Sequence, residues 1–197
     1  SFITVNPNAA RSMVDLIADH PPPASVRFFG LQEARVPSGS IDEVRVKFAE
    51  LRWDAHIIPC KGEAGCASAG VALIVRIGWS VRPVTADLCG FDIPTSPHFG
   101  FWYSEGVFSG GFVIVVLYLE DTIGMAHPNT GYLDQVPTVL YAIGKPFLIL
   151  ADWNMNPHTL RSSGWLNNIN GTVLEPERTT CHARGSANSY DYAVVSM

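Results

Sequence analysis

The sequence predicts an α/β (α+β) fold, a four-layer α/β/β/α sandwich in which two mixed sheets are flanked by helices. Two observations support this prediction. Apolar runs typical of strands outnumber the segments with helical periodicity. The runs at 70–76, 111–119 and 147–151 are continuous rather than alternating, as in strands that are covered on both faces. Two packed sheets with outer helices provide cover on both faces.

The first half of the chain alternates strands with helices. Residues 2–5 are a short apolar run and predict a strand. The helix that follows has one apolar face, formed by Ala10, Met13, Val14 and Ile17. Three prolines at 21–23 end it, and residues 25–33 predict a second strand. In the next helix, Ser40 and Glu43 have the spacing of a capping box. Its apolar side contains Ile41, Val44, Phe48 and Leu51.

The chain from residue 70 onward contains most of the predicted strands, the first four at 70–76, 80–84, 99–104 and 111–119. A helix over 132–143 follows, and its apolar residues in helical phase are Leu133, Val136, Leu140 and Ile143. After the strand at 147–151, Asn156 as N-cap and Pro157 in the first turn predict a short helix. The last predicted strand covers 190–196.

The composition indicates one globular domain over residues 1–197. The chain is 47% hydrophobic and 16% charged, which is enough apolar material for a substantial core. No apolar run has the length of a membrane span, and no signal peptide opens the chain. The net charge of −5 disfavours a non-specific nucleic-acid coat, which needs many cations that pair with phosphates. A local basic rim around an acidic site, drawn from Arg11, Arg35, Lys61 and Arg76, is compatible with this charge.

Four cysteines occur, at Cys60, Cys66, Cys89 and Cys181. Cys60, Cys66, Cys181 and His182 are residue types that bind zinc, but their spacing fits no common zinc pattern. We therefore expect free and mostly buried thiols.

Several apolar runs finish on a residue that could bind a metal ion or a phosphate group. These residues are Asn6, Asn8, Glu33, Tyr118, Asp152 and Asn154, and Asp191 lies within the last strand. A carboxylate beside a buried run costs free energy unless it is paired or binds a cation. Oxygen ligands with one or two carboxylates, and open positions for water and phosphate oxygens, suit a divalent metal. We therefore expect the strand ends to converge on a pocket at one edge of the sheets.

Each of these residues also has a simpler explanation when it is taken alone. A strand-end aspartate is usually a turn or cap residue, and the Asn6-Pro7-Asn8 segment reads as a turn. Glu33 alone would be a surface acid and Tyr118 a core residue. At 152–154, alternation along an extended strand would point Asp152 and Asn154 to one side and Trp153 to the other.

The same residues carry a resemblance to the endonuclease/exonuclease/phosphatase superfamily that extends over nearly the whole chain. "VNPNAAR" resembles the first motif of that family, "LQEAR" its Leu-Gln-Glu motif and "LYLED" the strand with the phosphate-side tyrosine. "LADWNMNP" is similar to the Gly-Asp-Phe-Asn motif, with Ala151 for glycine and Trp153 for phenylalanine, and "SYDYAVVS" to the Asp-Tyr strand. "CKGEAGCASAGVALIVR" is most similar to endonuclease domains of retrotransposons.

The resemblance implies hydrolysis of phosphoesters with Mg²⁺ or Mn²⁺ and assigns a role to each residue. Glu33, helped by Asn6 or Asn8, would bind the metal, and Asn6, Asn8 and Asn154 would contact the substrate phosphate. Asp152 would orient or deprotonate the attacking water. Tyr118 and Asn154 would donate hydrogen bonds to the phosphate. Asp191 would support the histidine of the closing Ser-Asp-His motif of the family.

That closing motif does not occur in these 197 residues. We therefore expect a domain that is incomplete at its C-terminal end and weakly active or inactive as it stands. We also expect an open sheet edge and exposed apolar surface, because the resemblance implies that the next strand of the family would pair beside or near the strand at 190–196.

The leading functional hypothesis is a metal-dependent DNA endonuclease domain of a retroelement-like polyprotein, with a reverse transcriptase in the same polypeptide. The first alternative is a phosphatase of the same fold that acts on a small phosphoester. The second is a degenerate, non-catalytic module that binds nucleic acid or protein. An intracellular location is expected, and a nuclear one for a retroelement endonuclease.

Overall fold

Two mixed sheets lie face to face in the computed structural model, which describes residues 1–7, 9–62, 69–106, 109–176, 180 and 189–197. The first sheet consists of β1 (Phe2–Val5), β2 (Phe28–Leu31), β3 (Trp53–Ile58) and β4 (Val71–Arg76). Their order is β1-β2-β4-β3, with β1 parallel to β2 and the other pairs antiparallel.

The second sheet is longer, with the order β5-β6-β7-β8-β10-β9 among the described residues. Its strands are β5 (Val81–Pro83), β6 (Phe99–Ser104), β7 (Phe112–Tyr118), β8 (Phe147–Asp152), β9 (Gly171–Leu174) and β10 (Asp191–Ser196). Only the central pair, β7 with β8, is parallel within the described part of this sheet.

Helices cover the outer face of each sheet. Helices α1 (Ala10–Asp19) and α2 (Ile41–Glu50) pack on the first sheet. Helices α3 (Ala86–Cys89), α4 (Asn129–Ile143) and α5 (Pro157–Ser162) pack on the second, with a 3₁₀ helix at Trp165–Ile169. A short 3₁₀ turn at Ser38–Ser40 precedes α2. The predicted four-layer α/β/β/α sandwich is confirmed.

Alternation along the central strands assigns side chains to the two faces of the second sheet. In β8, Leu148 and Leu150 face the first sheet, whereas Ile149 and Ala151 belong to the core beneath the helices. In β7, Tyr118 has the same parity as Ile114 and Val116 and therefore faces the first sheet. This parity places the tyrosine between the sheets.

The two sheets approach very closely where β2 crosses β8. A Cβ atom on Gly30 would lie 2.6 Å from the Cβ of Leu150, so this position admits no side chain without movement of the sheets. The neighbouring Gln32 is fully buried and donates from Nε2 to the Leu150 carbonyl oxygen at 3.1 Å and to Thr4 Oγ1 at 3.0 Å. The amide therefore connects the two sheets directly.

The helices predicted at 10–17, 41–51 and 132–143 are present, and Asn156 caps α5 by accepting from the Thr159 main-chain N–H at 2.9 Å. The capping box at α2 is wrong. Ser40 makes no side-chain cap bond, and its N–H donates to the Pro37 carbonyl oxygen at 2.9 Å. Glu43 pairs instead with Lys47 at 2.8 Å and with Arg11 at 2.9 Å.

Three elements were not predicted: β3, β9 and α3. Strand β3 alternates buried and more exposed residues, so it lacks the continuous apolar run of the central strands. As an edge strand it is covered on one face only, and Trp53, Ala55 and Ile57 are the residues it buries.

An open edge directly beside the last strand, one form of the expectation, is wrong. Strand β10 lies between β8 and β9 and pairs with both in antiparallel register. In the first sheet, β1 forms one edge among the described strands. None of the described helices is long and apolar enough to cross a membrane.

The expectation of free thiols holds for Cys89, which is buried, and fails for Cys60, which is disulfide-bonded. Cys66 and Cys181 lie outside the described residues. Spacing along the chain does not reveal the distance between two Cβ atoms, and this distance decides whether a disulfide can form.

Candidate active site

One row of residues across the second sheet forms the floor of the candidate site. Tyr118 is in register with Asp152 in the parallel β7–β8 pair, and Asp191 is in register with Asp152 in the antiparallel β8–β10 pair. From the first sheet, Asn6 follows the end of β1 and Glu33 follows the end of β2 by two residues. The site is therefore built from both sheets at one edge of the sandwich.

Asn6 connects the carboxylates of the two sheets. Its Nδ2 donates to Asp152 Oδ2 at 2.9 Å and to Glu33 Oε2 at 3.3 Å. These partners are 146 and 27 residues away along the chain. One amide group thus holds two carboxylates close together at a partly buried position.

Glu33 is the most highly bonded side chain of the cluster. Its Oε1 accepts from the Tyr118 hydroxyl at 2.9 Å, and its Oε2 accepts from Arg35 Nη2 at 2.9 Å as well as from Asn6. Glu33 is 9% exposed, so the arginine partly neutralises a charge that has little access to water.

The backbone around Glu33 is strained. Glu33 and Arg35 have φ values of 47° and 49°, in the left-handed region that disfavours residues with a Cβ. Main-chain hydrogen bonds hold this segment, from Ala34 to the Gly70 carbonyl oxygen at 2.8 Å and from Arg35 to that of Ala69 at 3.2 Å. Strain of this kind persists where surrounding contacts hold the backbone, and it concentrates at functional sites.

Asp152 is the most deeply buried carboxylate of the site, with 5% exposure. Besides the bond from Asn6, its Oδ1 accepts from the Asn154 main-chain N–H at 3.2 Å. Burial, and next the nearby Asp191 carboxylate, raise the pKa of Asp152 to about 7. Loss of hydration and repulsion between like charges thus both favour its protonated form when no cation is bound.

Asp191 lies beside Asp152, and one of its oxygens has no hydrogen-bond partner among the residues that the structure describes. Its Oδ1 is buried and accepts no hydrogen bond from the described residues. Burial raises the pKa of Asp191, while hydrogen bonds from the Thr180 side chain and the Asn6 main chain lower it. A buried carboxylate oxygen without a donor can accept a further N–H or O–H group.

Asn154 reaches the site by a turn rather than by strand alternation. Strand β8 ends at Asp152, and Asn154 has a φ of 48°, so the extended geometry assumed for 152–154 does not continue. Its Nδ2 donates to the Leu119 carbonyl oxygen at 2.6 Å. Trp153 does point to the opposite face, where its ring stacks on Tyr192 with a centroid distance of 5.3 Å.

Of the residues predicted for the site, the structure brings together Asn6, Glu33, Tyr118, Asp152, Asn154 and Asp191. Asn8 lies outside the described residues. Their chemical roles stay predictions. Among the described residues, no three His, Cys, Asp or Glu side chains gather into a metal-binding group. The polar set is instead two carboxylates and the Asn6 amide, which could bind a cation through its oxygen and not through the Nδ2 that donates to both carboxylates. Carboxylate and amide oxygens suit Mg²⁺ when water and phosphate oxygens supply the other ligands.

The predicted basic rim is smaller than expected. Arg35 contacts Glu33. Burial lowers the pKa of His98, and the Lys61 charge is close enough to act in the same direction. Arg11 pairs instead with Glu43 on α2. Arg76 packs over the Trp53 ring at 4.4 Å at the other end of the first sheet.

Four residues near the site were not predicted from the sequence. His98 precedes β6, and its ring stacks on Tyr118 and Tyr132, while Tyr132 donates to Glu120 Oε1 at 3.1 Å. Asn129 is fully buried and bonds the main chain of Glu120. None of them belongs to a recognisable local pattern, because their partners come from other elements.

Comparisons with known proteins find similar folds but no similar sequence. No family model and no curated protein matches the chain in sequence. The endonuclease domain of TRAS1, a telomere-specific non-LTR retrotransposon, aligns with a TM-score of 0.64 and 14% identity over 98% of this chain and 84% of that one.

An AP endonuclease from Archaeoglobus fulgidus aligns with a TM-score of 0.62 and 13% identity over 98% of this chain and 86% of its own. The 3′ phosphatase NExo from Neisseria, bound to a product DNA hairpin, aligns with a TM-score of 0.59, 15% identity and the same two coverages, 98% and 86%. The chain therefore has the endonuclease/exonuclease/phosphatase fold that its motifs predicted.

Proposed function

We propose that this protein is a divalent-metal-dependent phosphodiester hydrolase, and more specifically a DNA endonuclease domain of a retroelement-like polyprotein. The observation that carries the proposal is the single hydrogen-bonded cluster of Asn6, Glu33, Tyr118 and Asp152 at the edge of this fold. Structural neighbours with this fold are described as endonucleases, exonucleases and phosphatases.

Glu33 and Asn6 are the residues that would hold Mg²⁺ or Mn²⁺, with Asn8 as a further ligand expected from the sequence. The fit rests on the Glu33 carboxylate, whose two oxygens already accept from the Asn6 amide, the Arg35 guanidinium and the Tyr118 hydroxyl. When bound, the metal would polarise a phosphate oxygen and stabilise the charge that develops there. Arg35, on the same carboxylate oxygen as Asn6, contributes positive charge on that side of the site.

The remaining residues supply orientation and hydrogen bonds. Asp152 would accept a hydrogen bond from the attacking water and orient it, since its carboxylate lies deep between the two sheets. Tyr118 and Asn154 would donate to the phosphate oxygens. Asp191 has a free carboxylate oxygen among the described residues, so it could orient an imidazole N–H as in hydrolase triads.

The choice of a DNA endonuclease rests on one sequence segment, one structural neighbour and two cations near the site. The segment before β4 resembles retrotransposon endonucleases, and one structural neighbour is such a domain. The nearby cations Arg35 and Lys61 would contact the backbone of a nucleic acid on one side of the site. The reverse transcriptase of the proposed polyprotein would then lie in the same polypeptide.

The test is a nicking assay on supercoiled plasmid with the protein in molar excess, in Mg²⁺, in Mn²⁺ and in EDTA. We expect metal-dependent conversion to nicked circles that Asp152→Asn abolishes. Glu50→Gln, an exposed acid on α2, serves as the matched control and should cleave like the wild type. Hydrolysis of a small phosphomonoester without nicking would indicate the phosphatase. DNA binding without any hydrolysis would indicate the non-catalytic module.

A further inference from the structure

We propose that His98 is a positioning residue for Tyr118, and that Tyr132 and Glu120 hold His98 in place for this task. The proposal rests on the proposed function, since it concerns how the tyrosine hydroxyl is aimed within that site. His98 is 8% exposed and lies just before β6, at the same edge of the second sheet as Tyr118.

His98 contacts both main-chain polar groups of Tyr118, the N–H and the carbonyl oxygen. Its carbonyl oxygen accepts from the Tyr118 N–H at 2.7 Å, and its Nδ1 lies 3.3 Å from the Tyr118 carbonyl oxygen. The second contact makes Nδ1 the protonated nitrogen, because a carbonyl oxygen can only accept. These two bonds fix the backbone from which the tyrosine ring extends.

The imidazole ring also fixes the direction of the tyrosine ring. It stacks on Tyr118 with a centroid distance of 5.6 Å and an interplanar angle of 16°. It also stacks on Tyr132 of α4, with a centroid distance of 4.1 Å and an interplanar angle of 13°. The three rings are therefore nearly parallel and form a column from α4 to the site, and this contact restrains the Tyr118 ring.

The far end of this column is anchored by Glu120. Its Oε1 accepts from the Tyr132 hydroxyl at 3.1 Å and lies 3.7 Å from His98 Nε2. The main chain of Glu120 is itself held by the buried Asn129, which accepts from its N–H at 2.8 Å and donates to its carbonyl oxygen at 3.0 Å. The column thus rests on a fixed part of the loop between β7 and α4.

Positioning matters here because the tyrosine hydroxyl spans the gap between the sheets. Tyr118 leaves β7 in the second sheet and donates to Glu33 Oε1 in the first at 2.9 Å. A displacement of about 1 Å at a reacting group can lower a rate by about 100-fold. A histidine that never touches the substrate can therefore control the turnover.

The test is a double-mutant cycle between His98→Leu and Tyr118→Phe in the nicking assay, run with supercoiled DNA in excess over the protein so that kcat and KM can be measured. His98→Leu fills similar space without a ring, and we expect a 10–100-fold lower kcat with KM changed less than about 3-fold. In the Tyr118→Phe background the same change should alter kcat by less than about 3-fold, because the group that it positions is already gone. His98→Phe, which keeps the stack, should recover most of the activity. Tyr141→Ala, on the exposed side of α4, is the control.

Equal losses in both backgrounds would overturn the proposal, since they would show that His98 acts independently of Tyr118. If His98→Leu does not fold, Tyr132→Leu removes the other end of the column and is subject to the same cycle.

A second readout separates this proposal from the proposed function. In protein with ¹³C-labelled tyrosine rings, the Tyr118 signal is identified by its loss in Tyr118→Phe. We expect His98→Leu to shift or broaden that signal, whether or not the protein hydrolyses any phosphoester. An unchanged Tyr118 signal would overturn the positioning role, whereas inactivity of the wild type on every phosphoester would overturn the proposed function alone.

Discussion

At the scale of single residues, Glu33 is where the contacts of the site concentrate. Three donors from different parts of the chain reach its two oxygens: Asn6, Arg35 and Tyr118. Its left-handed φ of 47° is the structural cost of turning this carboxylate into the gap between the sheets. The three donors together hold this carboxylate in one position between the two sheets.

Glu33→Gln should therefore remove metal binding while it preserves the fold. The amide keeps the shape of the side chain but loses the charge that competes with water for a reluctantly dehydrating cation. We expect Mg²⁺-dependent hydrolysis to fall by at least about 10–100-fold, the range seen for residues that merely support a ligand. Isothermal titration with Mg²⁺ measures the affinity directly, with Glu50→Gln as control. Equal Mg²⁺ affinity in the two variants would rule out Glu33 as a ligand.

His56 makes the stability of the fold depend on pH, and it does so outside the candidate active site. Burial lowers the pKa of His56, and the nearby Arg45 acts in the same direction while Asp54 opposes it. The folded state therefore binds a proton less readily than the unfolded chain, so His56 reduces stability as the pH falls below about 6.5. Urea denaturation at pH 7.5 and 5 should show a smaller decrease in unfolding free energy for His56→Gln than for the wild type. An equal decrease would show that this histidine does not contribute.

At the scale of elements, the loop between β7 and α4 is built around one buried amide. Asn129 donates to the Gly124 carbonyl oxygen at 3.0 Å as well as bonding both main-chain groups of Glu120. Three main-chain groups that would otherwise lose their hydrogen bonds in a buried position are satisfied by a single side chain. This loop carries Glu120, the anchor of the column of stacked rings.

Asn129→Ala should loosen this loop and destabilise the protein. Unpaired buried groups cost about 1–3 kcal/mol, so we expect a decrease of that size in the free energy of unfolding. Hydrogen exchange should be faster at the Glu120 main-chain N–H. Gln135→Ala, on the same helix, is the control and should leave both quantities nearly unchanged. Unaltered exchange at Glu120 in Asn129→Ala would show that the loop is held by other contacts.

At the scale of the whole molecule, the candidate site depends on the distance between the sheets. Asn6 and Glu33 come from the first sheet, and Tyr118 and Asp152 from the second. Gly30 sets that distance where β2 crosses β8, and Gln32 bonds across the same crossing. The geometry of the site is thus a property of the sandwich and not of either sheet.

Gly30→Ala should push the sheets apart and weaken both stability and activity. The added methyl group would lie 2.6 Å from the Cβ of Leu150, an atom that cannot swing away. Overpacking of this kind typically costs about 1–3 kcal/mol. We expect the free energy of unfolding to fall by that amount and hydrolysis to be slower. Gly39→Ala, where no atom lies within 4 Å of the added group, is the control for denaturation and activity. Wild-type stability in Gly30→Ala would mean that the sheets adjust at no cost.

The sequence by itself determined the fold class, most central strands and the identity of the strand-end polar residues. These features are local: a continuous apolar run requires cover on both faces, and Asn156 before Pro157 starts a helix wherever it occurs. Edge strand β3 escaped prediction because one covered face leaves only a short alternating pattern.

Only the tertiary structure decided which polar groups meet. The bond from Asn6 to Asp152 joins residues 146 positions apart, and the stack of His98 between Tyr118 and Tyr132 joins three different elements. It also decided that Glu43 pairs with Arg11 and Lys47 instead of capping α2, and that Asn154 turns back toward Asp152. The physical reason is that such contacts depend on strand register and sheet separation, which arise from packing over the whole core and have no local signature in the sequence.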